Sequence, residues 1–158
     1  MYEMRGVIAG EQVLRRAAQD LLPFALRSSP LEQGLSLVPM SNAFFAAVAD
    51  GGRGHALGFR FLPAALVHRL ALWSHAGPAA YVEADYFGGV GEQQAAVWHE
   101  GRLTLGPLRV EEEEPFPAEG SPISQALRRL GVVAQAGEDE FSAVRLGRRR
   151  SLMGWPTT

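Results

Sequence analysis

Glu83 and Asp85 are two carboxylates separated by a single residue, the most chemically suggestive pair in the chain. They lie in Ala80-Tyr81-Val82-Glu83-Ala84-Asp85-Tyr86-Phe87, whose apolar and aromatic content predicts a strand. Alternation places Tyr81, Glu83, Asp85 and Phe87 on one face and Ala80, Val82, Ala84 and Tyr86 on the other. Carboxylates two residues apart on a strand stand about 7 Å from each other. That spacing suits acid–base chemistry, a divalent cation, or contact with a cationic protein surface. The small apolar face is expected to pack on helices, leaving the acidic face open or lining a groove. A small hydrolase using Glu83, Asp85 and His99 is the enzymatic alternative, and it requires His99 to share their face.

Other reactive arrangements are poorly supported. Gly88-Gly89-Val90-Gly91 resembles a phosphate cradle only in composition, because phosphate loops lead into a helix N-terminus. Here the loop leads through Glu92 and Gln93 into a second strand, Gln94 to His99. Its expected role is conformational, with glycines supplying positive φ for a hairpin. His68 and His75 are seven residues apart on one predicted helix, about 10 Å, too far to share a metal. No G-x-S-x-G elbow is present, and Ser121 and Ser124 read as a helix cap and a first-turn residue. The chain has no cysteine, which removes thiolate nucleophiles, disulfides and Cys-based metal sites. It has no lysine either, which removes Schiff-base chemistry and a P-loop. Neither a metal nor a cofactor is expected.

Charge points the same way. All fifteen basic side chains are arginines, set against seventeen acids, for a formal net charge of −2. That balance argues against nucleic acid as a partner, and Arg148-Arg149-Arg150 is a short terminal cluster. Glu111, Glu112, Glu113 and Glu114 form an uninterrupted acidic run, a solvated loop that can also attract a basic partner.

The elements that must position these residues can be read from periodicity. A strand is expected over 2–9 and a helix over 11–22, with Leu14, Ala17, Ala18 and Leu21 on its inner face. Leu35 to Val38 is a short strand, and Ser41 caps a helix over 42–49. Asp50 to Gly54 reads as a turn, Gly58 to Phe61 as a brief extended piece, and 63–75 as a helix stopped by Gly77-Pro78. With Arg102 to Leu105 as a third strand, the stretch 79–106 forms a three-strand meander. Residues 107–120 look like a linker. Ser121-Pro122 opens a helix to about Leu130, Val132-Val133 suggests a short strand, and a last turn of helix begins at Asp139. The expected fold class is α+β: a single domain over 1–150, largely antiparallel, with three to five helices and a loose tail over 151–158. The N-terminal apolar run is too short for a signal segment, and no stretch approaches 18 apolar residues, so a cytoplasmic location is expected.

Tyr81 to Gln93 with Ala95 to Trp98, then Pro122 to Val132 and Asp139 to Arg150, together resemble a family of small, mostly uncharacterised bacterial proteins with a YFGGxGxQ hairpin motif. Some of its members are similar to immunity proteins of polymorphic toxin and type VI secretion systems. The resemblance covers the second half of the chain and supplies no catalytic residue. It implies a protein, monomeric or a weak homodimer, that binds a cognate toxin in the cytoplasm without nucleic-acid or membrane contact. The surface expected to do so comprises Tyr81, Glu83, Asp85, Phe87, Glu92 and Glu111 to Glu114.

Overall fold

The computed structural model describes residues 1–51 and 55–148. Strand β1 (Tyr2–Gly10) runs directly into helix α1 (Glu11–Asp20). A two-residue strand β2 (Ser29–Pro30) and β3 (Leu35–Pro39) follow, then α2 (Asn42–Ala49) and α3 (Ala64–Trp73). The long strands β4 (Ala79–Phe87), β5 (Val90–His99) and β6 (Arg102–Val110) complete one six-stranded antiparallel sheet in the order β2-β3-β1-β4-β5-β6. The short helices α4 (Pro122–Arg129) and α5 (Glu140–Ala143) come last. This is the α+β architecture expected.

Two helix starts follow from serine chemistry. The Ser41 hydroxyl accepts the Phe44 N–H at 3.1 Å and that of Ser121 accepts the Ser124 N–H at 3.1 Å, so each satisfies an orphan donor. Pro122 then sits at the start of α4, where its missing N–H is not needed.

Both faces of the sheet are covered. Val7, Tyr81, Ala96 and Trp98 are buried against Leu14 of α1, Phe44 of α2 and Leu66 and Trp73 of α3. Met4, Ile8, Val82 and Val97 are buried on the other face against Ile123 and Leu127 of α4. Each fully buried Val, Leu, Ile, Phe or Met side chain among them contributes roughly 1.5–3 kcal/mol, so the two layers together hold the central strands between them.

Several boundaries differ from expectation. The β4–β5 connection is only Gly88-Gly89, at φ +62° and +81°, and Phe87 pairs directly with Val90. Gly91, Glu92 and Gln93 therefore belong to β5 rather than to a loop. Gly91 serves close approach, since a Cβ there would overlap the Asp85 carbonyl. Strand β6 continues through Pro107 to Val110, which an edge strand permits because one side of its backbone has no neighbour to satisfy. Gly58 to Phe61 is an ordered loop, not an extended strand, and Val132-Val133 forms no strand. The turn expected at 50–54 falls partly, and Arg149, Arg150 and the 151–158 tail wholly, outside the described residues.

Candidate functional site

Pairing fixes what surrounds the acidic pair. Glu83 lies opposite Arg5 on β1 and Gln94 on β5, and Asp85 lies opposite Glu3 and Glu92. Tyr81, Glu83, Asp85 and Phe87 do share a face, but they divide into two pairs with different environments.

Tyr81 and Glu83 are interior. Tyr81 is fully buried and Glu83 is only 7% exposed, so the expectation of a solvent-facing set is wrong for these two. The cause is the loop over 56–62, which folds down onto the sheet. Its Phe59 and Leu62 are buried, and Phe59 meets the Tyr81 ring edge-to-face at 5.1 Å. The Glu83 carboxylate accepts the Arg60 N–H at 2.9 Å, the Phe61 N–H at 2.8 Å and the Tyr81 hydroxyl at 2.7 Å. Burial, reinforced by the charge of Glu83 and its hydrogen bond, holds the Tyr81 hydroxyl well above the usual phenol range, so it stays a donor. Further ties fasten the same loop. The Gln94 amide donates to the Gly58 carbonyl at 3.0 Å, Arg5 stacks 3.8 Å from the Phe61 ring centre, and Arg60 pairs with Glu92 at 2.7 Å. Glu83 is thus an anchor for a loop, with its oxygen atoms already engaged. A narrow cleft of about 20 Å³ remains beside it.

Asp85 and Phe87 are exterior. Phe87 is 76% exposed at the end of β4, and Val90 opposite it is 41% exposed. Asp85, Phe87, Val90 and Glu112, together with the Arg60–Glu92 ion pair, line one recess of about 260 Å³ on this side of the hairpin tip. Among the described residues, the side chains of Asp85, Glu112 and Glu113 make no hydrogen bond or ion pair. The other acids are engaged: Glu92 by Arg60 and by Arg109 at 3.4 Å, and Glu111 by Arg109 at 3.2 Å. Glu114 accepts the Glu111 N–H at 2.8 Å and closes the turn of the acidic run. Phe116, half exposed, joins Val90, Glu113 and Glu114 around a second recess of about 370 Å³. Phe116 was not anticipated; its only signal was an aromatic residue within a proline-rich acidic stretch.

His99 does not join the carboxylates. Gln94 faces Glu83, and His99 lies five residues further along β5, an odd step that turns it to the opposite face. All four histidines are exposed. Trp98 is 2% exposed and belongs to the core. Gln93 accepts the Ile123 N–H at 3.1 Å and so positions α4, while Gln94 holds the 56–62 loop. No cluster of three metal-ligating side chains occurs among the described residues, and none of their helices is long and apolar enough to cross a membrane.

No protein-family model, curated protein or solved structure matches the chain.

Proposed function

We propose that this protein is an immunity protein, which binds a cognate antibacterial effector and neutralises it in the cytoplasm of the cell that makes both. The observation that carries the reading is the recess at the hairpin tip, which exposed Phe87 lines together with the unengaged carboxylates of Asp85 and Glu112. None of these side chains serves the fold. An exposed aromatic beside unengaged carboxylates is how a protein surface anchors and steers a cationic partner. The buried Glu83 network beneath supplies rigidity, which limits the ordering cost of association. The antibacterial setting comes from the resemblance of the 81–98 hairpin to a family of small bacterial proteins, some of whose members are similar to toxin-linked immunity proteins.

Cells producing the toxin that this protein is proposed to neutralise test the reading. Wild-type protein is expected to restore growth, and the Asp85→Arg/Glu112→Arg double variant to fail while its unfolding midpoint stays near wild type. Full protection by that folded variant would refute the proposed surface.

A further inference from the structure

The other side of the same hairpin carries a different recess, of about 380 Å³, within the size range of built ligand pockets. Its wall draws aromatic rings from four separate segments: Tyr2 of β1, Tyr86 of β4, Phe116 of the acidic loop and Phe141 of α5. Tyr2 and Phe141 meet edge-to-face at 5.6 Å, and the Tyr2 hydroxyl donates to the Leu146 carbonyl at 3.1 Å, so this corner is held in place. Asp139 brings a carboxylate to the rim. One of its oxygens accepts the Ser142 N–H at 2.8 Å and caps α5, while the other makes no hydrogen bond among the described residues. The Tyr86 hydroxyl is buried beside the Gln93 side chain. Burial pushes its pKa up, a hydrogen bond with the Gln93 side chain partly offsets this, and the Glu92 charge adds to it, so the hydroxyl stays neutral.

We propose that this recess is a socket for an arginine side chain of the partner protein. A guanidinium group is planar and weakly hydrated, stacks on aromatic faces, and presents a fork of donors that a carboxylate accepts. The free oxygen of Asp139 is the acceptor. Charge complementarity selects a cation over a neutral ring. The adjoining recess shares Tyr86 and Phe116 and is bordered by Glu113 and Glu114. The nearby Arg128 is already committed to Glu140 at 3.3 Å and to the Glu119 carbonyl at 2.9 Å. The proposal rests on the immunity reading for what carries the arginine, but not for the socket itself.

Titration of the full chain with N-acetyl-arginine methylamide, followed by NMR, tests it. Saturable shifts centred on Tyr2, Tyr86, Phe116 and Phe141 are expected. The citrulline counterpart, matched in shape but uncharged, is expected to bind at least about tenfold more weakly. Asp139→Asn keeps the helix cap and is expected to reduce arginine binding to the citrulline level. Absent or scattered shifts, equal binding of citrulline, tighter binding of p-cresol, or indifference to Asp139→Asn would each overturn the socket. A lysine counterpart binding as well as arginine would overturn its guanidinium preference. The two readings separate cleanly: arginine binding without effector binding keeps the socket and removes the immunity role. Effector binding unchanged by Asp139→Asn keeps that role and removes the socket from it.

Discussion

The Glu83 carboxylate and the Phe61 amide, 22 residues apart in sequence, meet at 2.8 Å. With the Arg60 amide and the Tyr81 hydroxyl, this contact converts a candidate reactive acid into the pin of a loop. It also separates the two halves of the acidic strand, leaving Asp85 and Phe87 as the half available to a partner.

Glu83→Gln replaces one acceptor oxygen with an amide donor facing a group of donors. At least one of the Arg60 N–H, Phe61 N–H and Tyr81 hydroxyl then loses its partner, and stability is expected to fall by about 1–3 kcal/mol. Urea unfolding measures this. A change within about 0.5 kcal/mol, as for an ordinary surface residue, would show that the network does not hold the loop.

Two glycines of the hairpin are expected to rank differently. Gly88→Ala meets open space and bears only the penalty of a positive φ, about 1 kcal/mol. Gly91→Ala drives a methyl group into the Asp85 carbonyl, which is backbone and cannot swing away. The larger loss of thermal stability should belong to Gly91→Ala, and the reverse order would contradict the close strand approach.

Asp20 should give the chain an acid-sensitive element. Burial pushes its carboxyl up, but hydrogen bonds from Trp73 at 2.9 Å and Arg69 at 2.6 Å, with the Arg69 charge, outweigh that and hold it below its ordinary value. A depressed folded-state pKa contributes stability above the unfolded value, near pH 4, which is lost as pH falls through the folded value. Asp20→Asn should therefore be less stable than wild type at neutral pH, with the gap closing in acid. A gap independent of pH would contradict the linkage.

Phe87 and Phe116 should be dispensable for folding. Each is at least half exposed, so alanine at either is expected to change stability by less than about 0.5 kcal/mol. A substantial drop in the unfolding midpoint would give these rings a structural role and weaken the surface assignment.

Much of this fold was legible from local chemistry. Ser41 and Ser121 mark helix starts, and the apolar stripe of Ile123, Ala126 and Leu127 marks the buried face of α4. The alternation from Tyr81 to Phe87 correctly sorted side chains between the two faces. It did not foresee that one face would be half covered. The donors that bury Glu83 are backbone amides at Arg60 and Phe61, and a backbone amide has no side-chain signature. The reach of β6 through Pro107 was hidden for a related reason: tolerance of a proline depends on being an edge strand, which only the completed sheet order reveals. Phe116 likewise gains meaning only when the acidic loop brings it beside Tyr86 and Val90.

Calorimetric titration of this protein with the effector it is proposed to neutralise tests the central claim most directly. The expected result is a 1:1 complex that Phe87→Ala weakens at least about tenfold, as for an aromatic anchor, and that Asp85→Arg/Glu112→Arg abolishes. No measurable binding by the wild-type protein, or an affinity untouched by these substitutions, would contradict the account.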